Sequence, residues 1–367
     1  MKLEGLRVVD ASMFLPGPVV TQFMADHGAE VIRIEPPGGE PTRRSGPFDA
    51  DGTSLWFKAT HRGKRSVVLD LKSEEGRAAA LRLAAEADVF VEGFRPGVAA
   101  RLGIGVETLR AANPRLVYCS ISAYGQTGPL ATRSSHDLGA QAFTGFLSLT
   151  AQDGRPPVVP GVPAADMASA LTALSAILMA LYRRERTGVG DTIDASMYDA
   201  LLAWMPHLSA PVLAGEPPPT SATHRSVGGS AFYNVYATRD GRAIALTGRE
   251  PHYAAAFLAA VGRSELLPLA LEEPGPGQQR LIAELRALFA TQDYAQWCAL
   301  LEDVTVSWAP VLDLAEALAH PQIEARAMLV DDGVGGRVPG TPLKFADEPG
   351  QVRLRPPALD EDGGYFI

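Results

Sequence analysis

The sequence predicts an α/β fold with a mostly parallel β-sheet, followed by a smaller second domain. Two observations indicate this class. Apolar runs of strand length alternate with helix-length segments along the first part of the chain, as βαβ units require. The chain of 367 residues is also long for a single core, and its 46% hydrophobic and 20% charged residues are ordinary for a globular protein.

The first strands and helices follow from the length of each apolar run and from the residues that flank it. The stretch LRVVDAS (6–12) predicts a short buried strand, and residues 18–29 predict a helix that ends at Gly28. A helix over 73–87 has Ser73 as its N-cap and acidic residues in its first turn. Further strands are predicted at 30–37, 66–71, 88–94 and 116–125.

The clearest helix signal covers residues 166–187. Four leucines fall at helical spacing, arginines gather at the end, and Gly188 follows as a stop signal. The next stretch, GDTIDASMYDALLAW (190–204), predicts a strand that leads into a helix.

A change in composition places a domain boundary soon after residue 200. Residues 206–229 are rich in Pro, Ser, Thr and Gly, which is typical of a linker. A hairpin turning at Asp240-Gly241 and a series of helical segments follow. We therefore expect a large domain over 1–200 completed by about 330–367, a linker over 201–227, a small domain over 228–318 and a returning linker over 319–330.

Charge and hydropathy exclude several classes of partner. The net charge of -9 argues against nucleic acid, because a phosphate backbone attracts basic surfaces. No uninterrupted apolar run reaches the roughly eighteen residues of a membrane span, so no membrane partner is expected. The N-terminal stretch has no signal-peptide layout, and we expect a cytoplasmic protein. The two cysteines, Cys119 and Cys298, fit neither a disulfide framework nor a metal site.

The glycine-rich motifs of nucleotide-binding proteins do not occur in the sequence. No GxGxxG follows the first strand, and GxxxxGK[ST] is not found. Basic residues nevertheless cluster in HRGKR (61–65) and in VEGFRPGVAARLG (91–103). Because such clusters beside Gly/Pro turns at strand ends commonly hold phosphates, the residues predict a protein that binds a small phosphorylated molecule.

Three polar residues are candidates for chemistry, and each has a structural alternative. Asp166 precedes an apolar helix, where an aspartate usually serves as N-cap, although a helix N-terminus also holds reactive anions. His136 taken alone is more often structural, and its neighbour Asp137 faces another way if the segment is extended. Glu250 lies between a predicted strand and helix, with Pro251 suited to the first helical position, as a cap residue does.

Taken together, motifs along nearly the whole chain resemble the family III CoA-transferases, a group that includes the α-methylacyl-CoA racemases. The resemblance implies a Rossmann-like large domain with a parallel sheet, a smaller α+β domain, and two chains threaded through each other as an interlocked homodimer. The motifs that carry it are GLRVVDAS, PGP (16–18), GAEVIRIEPPGGEPTR, GKRSVVLDLK, EGFRPGVAARLGIG, NPRLVYCSISAYGQTGP, RRERTGVGDTIDASMYDA and HPQIEARAML.

The resemblance also assigns roles to the three candidates. Asp166 matches the carboxylate that attacks an acyl-CoA in the transferases and serves as one of two acid/base groups in the racemases. His136, in SSHD, matches the second racemase group, and Glu250, in REPHYA, matches the glutamate that supports it. All three lean toward an acyl-CoA racemase or epimerase that inverts C2 of a 2-methylacyl thioester by two-base proton transfer.

Two alternatives remain open at this stage. The first is a CoA-transferase that moves CoA between carboxylic acids through an Asp166 mixed anhydride and an enzyme-CoA thioester. The stretch IEPPGGEPTR and Gln141 resemble the transferases more closely than the racemases. The second alternative is a catalytically inactive CoA-binding or scaffold protein.

The resemblance implies that the ligand is an acyl-CoA substrate lying along the large domain. Coenzyme A would enter as part of the substrate, with no prosthetic group and no metal. The residues expected to contact it are Arg95 and Arg101 at its phosphates, Lys64 near the adenosine end, Leu69 and Leu71 against the adenine, and Phe14 at the mouth of the site.

Overall fold

A computed structural model of the protein describes residues 1–152, 154–331 and 336–366. The chain divides into two units. The first contains Met1–Thr144, Gly161–Trp204 and Pro321–Ile367, and the second contains Gly145–Pro160 and Met205–His320.

Six parallel strands form the central sheet of the first unit, in the order β3-β2-β1-β4-β5-β6. This confirms the predicted α/β class. The strands are β1 (Arg7–Ala11), β2 (Glu30–Glu35), β3 (Arg65–Val68), β4 (Val89–Glu92), β5 (Val117–Ser122) and β6 (Thr192–Ser196). The helices among them are α1 (Pro16–Asp26), α2 (Leu55–His61), α3 (Glu74–Ala85), α4 (Val98–Arg101), α5 (Val106–Ala112), α6 (Asp137–Phe143), α7 (Ala164–Thr187) and α8 (Met197–Ala203).

Helices cover both faces of this sheet because successive strand residues point to opposite sides. Val8 of β1 belongs to a core cluster with residues of α1 and α7. Its neighbour Val9 belongs to a second cluster with residues of α3 and α5. Both faces are therefore apolar, and polar groups are left to the ends of the strands, where β1, β4 and β5 point their carboxyl ends in one direction.

Helix α7 is the core helix of the first unit. Within the described residues it alone is long and apolar enough to cross a membrane, judged by length and composition only. Half of its most apolar window is buried, and it packs against α1, β5, β6 and α8, which is the packing of a core helix. It ends at Gly188, in the left-handed conformation with φ of 72°, as the sequence predicts.

The second unit holds an antiparallel three-stranded sheet, β7 (Tyr233–Ala237), β8 (Ala243–Thr247) and β9 (Trp308–Pro310), in that order. The predicted hairpin turn at Asp240-Gly241 joins β7 to β8. One apolar cluster, which includes Trp297 and Phe289, packs the helices against this sheet. The helices of this unit are α9 (Pro206–Leu213), α10 (Pro251–Ala260), α11 (Leu267–Ala270), α12 (Pro276–Phe289), α13 (Tyr294–Glu302) and α14 (Leu314–Ala319).

The segments predicted as linkers contain regular structure. Helix α9 begins at Pro206, a residue suited to the first helical turn, inside the range predicted as a linker. The predicted returning linker contains α15 (Pro321–Ala325) and the start of β10 (Leu329–Asp331), which pairs with β11 (Arg337–Pro339). Pro, Ser and Thr enrichment is a statistical signal for a linker, and local packing overrides it here.

The C-terminal segment lies along the free edge of the sheet. The Ser66 N–H of β3 donates to Asp362 Oδ2 at 3.0 Å, and the Val68 N–H donates to Asp360 Oδ1 at 2.7 Å. A last short helix, α16 (Gly363–Phe366), follows and contacts β3. This segment, which we call the C-terminal strap (residues 355–366), satisfies backbone groups that an edge strand otherwise exposes.

Candidate active site

A cavity of about 380 Å³ opens at the carboxyl ends of β1, β4 and β5. Parallel sheets bind their ligands at this edge, because the loops that follow the strands converge there. Its wall is formed by the loops after β1, β4 and β5, by the end of β5, by the first residues of α1, α4, α7 and α8, and by residues that precede α6. The members are Ser12, Met13, Phe14, Pro16, Gly17, Gly93, Phe94, Arg95, Pro96, Val98, Ile121, Ser122, Ala123, Tyr124, Ala131, Arg133, Ser134, Ser135, His136, Asp166 and Met197.

The structure brings His136 and Asp166 together in the wall of this one cavity. They are thirty residues apart in sequence and belong to the amino ends of two different helices. The imidazole of His136 is exposed and meets the ring of Phe14 edge-on, with 5.7 Å between ring centroids. The His136 carbonyl accepts the Gly139 N–H at 3.0 Å, so the residue occupies the N-cap position of α6. A ligand in the cavity therefore has access to an imidazole and a carboxyl group.

The pKa of Asp166 is raised to about 7. Burial is the larger cause, and the negative charge of Asp137 adds to it. Asp166 is half-buried in the first turn of α7, where the helix dipole favours an anion but does not offset these two effects. Near neutral pH this carboxyl group therefore exchanges its proton readily, which suits either a nucleophile or an acid/base group.

Asp137, not Asp166, caps helix α7. The N-cap residue of α7 is Pro163. The alternative in which Asp166 serves as the N-cap is therefore wrong. One oxygen of Asp137, Oδ1, accepts the N–H groups of Ala165 at 2.8 Å and Asp166 at 3.1 Å. Its other oxygen accepts the side-chain amide of the buried Gln141 at 2.5 Å. Asp137 follows His136 directly in sequence and accepts a hydrogen bond from the Asp166 backbone. It therefore links the two cavity residues, His136 and Asp166.

Glu250 lies in the second unit, at the amino end of α10. It is exposed and occupies the N-cap position, with Pro251 as the first helical residue, as the sequence predicts. Its carbonyl accepts the Tyr253 N–H at 3.0 Å, and its side chain makes no capping hydrogen bond. Its support of His136 stays a prediction.

The residues expected to contact CoA fall into three groups. Phe14 and Arg95 line the main cavity. Leu69 and Leu71 line a smaller cavity of about 160 Å³, which shares Ser12, Met13 and Phe94 with the main one. Arg101 is exposed at the end of α4, and neither cavity wall includes it.

The structure corrects the expectation for Lys64. This side chain is buried, and its ammonium group donates to Pro18 O at 2.9 Å, to Thr21 Oγ1 at 2.8 Å and to Asp10 Oδ2 at 3.2 Å. Three protein acceptors account for the three donors of an ammonium group, so Lys64 has none left for adenosine. Burial lowers the pKa of Lys64 to about 8, against the attraction of Asp10. Lys64 is a structural residue.

Arg133 and Ser122 are polar residues of the cavity wall that the sequence did not single out. Arg133 is exposed and lies three residues before His136, where it was indistinguishable from any surface arginine. Ser122 ends β5, is only 7% exposed, and its hydroxyl has no hydrogen-bond partner among the described residues. A serine at the carboxyl end of a predicted parallel strand was the available signal for Ser122.

Within residues 1–152, 154–331 and 336–366, no group of three or more His, Cys, Asp or Glu residues is placed to hold a metal ion. The chemistry available in the wall is that of Asp166, His136, the two arginines and the hydroxyl groups.

Comparison with known proteins decides the family. Residues 3–363 match the family described as CoA-transferase family III. This chain belongs to that family. The acetyl-CoA:oxalate CoA-transferase of Acetobacter aceti is 39% identical over 369 residues, which cover 98% of this chain and 93% of the relative. A CAIB/BAIF family protein from Brucella suis has a solved structure with a TM-score of 0.87 and 34% identity, covering 99% of this chain and 97% of that one.

The family III resemblance inferred from the sequence is therefore confirmed. Within the family, an α-methylacyl-CoA racemase of Mus musculus is 34% identical over 340 residues, covering 91% of this chain and 84% of the relative. The transferase is thus the more similar of these two relatives, which favours the alternative that the sequence analysis ranked second.

Proposed function

We propose that this protein is a CoA-transferase that moves CoA between two carboxylic acids, with Asp166 as its nucleophile. The observation that carries the proposal is the position of one carboxyl group. Asp166 lies in the wall of the cavity at the carboxyl ends of the strands, with its pKa raised to about 7. The acetyl-CoA:oxalate CoA-transferase, at 39% identity over nearly the full chain, supports the same assignment.

The proposed reaction needs a carboxylate that can be acylated and then released. The Asp166 carboxylate attacks the thioester carbonyl of an acyl-CoA, forming a mixed anhydride and expelling the CoA thiolate. The thiolate then attacks the aspartyl carbonyl, which releases the first acid as a carboxylate and leaves an Asp166-CoA thioester. The second acid attacks this thioester to form a new anhydride and thiolate, and thiolate attack on the acyl carbonyl gives the new acyl-CoA and free Asp166.

The local structure suits this sequence of steps. A half-buried carboxylate is less hydrated than a surface one, so it attacks more readily once it is ionised. Asp137 holds the first turn of α7 through two backbone N–H groups, which fixes the direction of Asp166. Phe14 and Arg95 in the main cavity, with Leu69 and Leu71 in the smaller one, provide surfaces for the CoA moiety, which takes part as substrate.

The test is to trap the covalent intermediate. Purified protein is incubated with acetyl-CoA and treated with hydroxylamine, and the peptide that contains Asp166 is examined by mass spectrometry. We expect a hydroxamate on Asp166 and loss of CoA transfer in Asp166→Asn. Asp199→Asn, which changes an exposed first-turn aspartate of α8, is the matched control and should transfer CoA normally. An unmodified Asp166 in a protein that transfers CoA contradicts the proposed role.

A second candidate, the racemase, is favoured by one observation. His136 and Asp166 share the wall of one cavity, and two-base inversion at a carbon requires such a pair. This candidate predicts exchange of the α-proton of a 2-methylacyl-CoA in deuterated water, lost in both His136→Ala and Asp166→Asn. Glu250→Gln is expected to reduce that exchange if Glu250 supports the imidazole. CoA transfer without exchange excludes the racemase.

We also propose that the protein is a homodimer. Helix α7 carries exposed apolar side chains on one face, spaced so that they lie along a single stripe. Leu171 and Leu178 are 38% and 39% exposed, and Met179 and Tyr182 are 70% and 64% exposed. An apolar stripe of this kind on a core helix is best covered by another protein surface, and a second copy of the chain provides it.

A further inference from the structure

We infer that Arg133 binds the second carboxylate of a dicarboxylic acyl group, so that the enzyme selects dicarboxylic acids over monocarboxylic ones. This inference rests on the proposed function and names the substrate class of the same site. It makes Arg133 a specificity-determining residue.

The guanidinium of Arg133 is held by an aromatic ring. It lies 5.0 Å from the ring centroid of Phe143, within the range of a cation–π contact. Phe143 meets Tyr124 edge-on at 5.6 Å, and the Tyr124 hydroxyl donates to Ser135 Oγ at 3.0 Å. Tyr124, Ser135 and Arg133 all line the main cavity. The arginine is therefore positioned at the cavity wall by packing.

Arg133 has no anionic partner among the residues that the structure describes. Over the ranges 1–152, 154–331 and 336–366, its side chain forms no ion pair and no hydrogen bond. Contact with the face of a ring leaves the in-plane N–H donors of guanidinium available, and these donors match the two oxygens of a carboxylate. The cavity wall as described contains a single carboxyl group, Asp166, together with Arg95 and Arg133, so the wall favours an anionic ligand.

A second polar group in the wall also lacks a partner. The Ser122 hydroxyl is buried to more than nine-tenths and makes no hydrogen bond to the described residues. Buried hydroxyl groups are normally satisfied, and a ligand oxygen in the cavity is the partner that the wall offers. Arg133 and Ser122 together provide donors for an oxyanion in the cavity that also contains the reactive carboxyl group.

The position of Arg133 relative to the two cavities favours the acyl group over the CoA phosphates as the source of that anion. The smaller cavity, with Leu69 and Leu71, joins the main one through Ser12, Met13 and Phe94. Arg95 is adjacent to Phe94 at this junction, whereas Arg133 lies only in the main cavity, next to the segment that leads to His136. A CoA whose adenine occupies the smaller cavity brings its phosphates near Arg95 and its acyl end toward Asp166 and Arg133.

The experiment compares a matched pair of acids of equal carbon number. With acetyl-CoA as donor, succinate and butyrate are tested as acceptors in the wild type, Arg133→Gln, Arg133→Lys, Arg95→Gln and Arg82→Gln. Arg82 is an exposed arginine of α3 outside both cavity walls and serves as the control. We expect wild type to prefer succinate in kcat/KM, and Arg133→Gln to reduce that preference about ten- to hundredfold. Arg133→Lys should restore part of it, and Arg82→Gln should keep it.

A measurement of binding without turnover tests the role of Arg133 independently of the proposed reaction. Calorimetry with succinyl-CoA and butyryl-CoA measures the same preference without turnover, using Asp166→Asn as the background to prevent reaction. Loss of the succinyl preference in Arg133→Gln on this background supports the inference even if no acid accepts CoA. If Arg133→Gln weakens both thioesters equally, as expected for Arg95→Gln, Arg133 binds a CoA phosphate and the inference is overturned. Equal use of succinate and butyrate by an active wild type also overturns it and leaves the proposed function standing.

Discussion

Asp137 acts on Asp166 in two ways at once. Its Oδ1 atom holds the backbone of Ala165 and Asp166, and its charge helps to raise the pKa of Asp166. The hydrogen bonds fix the direction of the reactive group, and the charge sets the pH at which it is ionised. The two effects can be separated by substitution, because asparagine keeps an acceptor oxygen and loses the charge.

The first prediction concerns pH. A nucleophilic Asp166 must be ionised, so kcat/KM for CoA transfer should rise with pH along a limb near pH 7. In Asp137→Asn the neighbouring charge is gone, the pKa of Asp166 falls, and the limb should move about half a pH unit or more toward acid. The measurement is a pH profile of both proteins. If the limb does not move, the charge of Asp137 does not raise the pKa of Asp166, and this prediction is wrong.

The second prediction concerns stability. The folded pKa of Asp166, about 7, lies above its unfolded value near 3.8, so the folded protein binds the proton more tightly. The contribution of Asp166 to stability is therefore favourable below pH 4 and is lost as pH rises toward 7. Asp166→Asn should be more stable than wild type at pH 8, by roughly 1–2 kcal/mol once solvent screening is allowed for, with a smaller gain at pH 5. Urea unfolding at both pH values measures this, with Asp199→Asn as the unchanged control.

At the level of residues, the sequence identified side chains but not their partners. His136 and Asp166 were identified because the order of the motifs around them resembles family III. The structure places both residues in the wall of one cavity. The capping role of Asp137 toward α7 was not found, because it joins residues 28 and 29 positions apart and no local pattern encodes it. Lys64 was misassigned because a basic cluster before a strand looks the same whether its lysine faces a ligand or a buried aspartate.

Among the elements, a buried charge cluster joins β1 and β2 to the residue that immediately precedes β3. Asp10 of β1 accepts the Arg33 guanidinium at 2.7 Å and the Lys64 ammonium at 3.2 Å, and none of the three side chains is exposed. Although burial opposes ionisation, the two cations hold the pKa of Asp10 well below its usual range. Burial, together with Lys64 and Arg33, lowers the pKa of nearby His61 well below its ordinary value, so this imidazole stays neutral.

The third prediction follows from this cluster. Asp10→Asn leaves two buried cations without their anion and should lower the free energy of unfolding by about 3–5 kcal/mol. Lys64→Met leaves the Arg33–Asp10 pair intact and should cost less, about 1–3 kcal/mol. Lys72→Met, at an exposed position, is the control and should change stability by less than about 0.5 kcal/mol. A smaller loss in Asp10→Asn than in Lys64→Met, measured by urea unfolding, contradicts this account.

Elements with strong periodicity were predicted and short ones were not. Helix α7 was evident from its leucine spacing and from Gly188, and the structure extends it by only two residues at the start, to Ala164. Helix α9 was missed because Pro and Ser dominate its surroundings. The sequence contains little signal for a helix of eight residues that starts at a proline and depends on its neighbours.

On the scale of the whole molecule, the parallel sheet could be predicted because its strands are apolar on both faces and alternate with helices. The division into two units is less regular than composition indicates. Gly145–Pro160 belongs to the second unit although it lies between two helices of the first. The unit to which a segment belongs depends on contacts between residues that are far apart in sequence. A single sequence contains no pattern that predicts such contacts.

The fourth prediction concerns assembly. The protein should migrate at twice the 38.9 kDa of one chain in size-exclusion chromatography with light scattering. Met179→Glu introduces a charge into the exposed stripe of α7 and should shift the equilibrium toward monomer, whereas Met179→Leu should not. If the wild type is a monomer at micromolar concentration, the apolar stripe of α7 is not a dimer interface.

The C-terminal strap has a consequence for the order of events during synthesis. Asp360 and Asp362 follow the β3 residues they bind by 292 and 296 positions. At about 5–20 residues per second, a ribosome makes the strap roughly 15–60 seconds after the strand. During that interval the outer edge of β3 offers open hydrogen-bonding groups to any neighbouring nascent chain. Crowded polysomes are therefore where this protein is most exposed to mispairing, and chaperones that bind nascent chains would protect it at that stage.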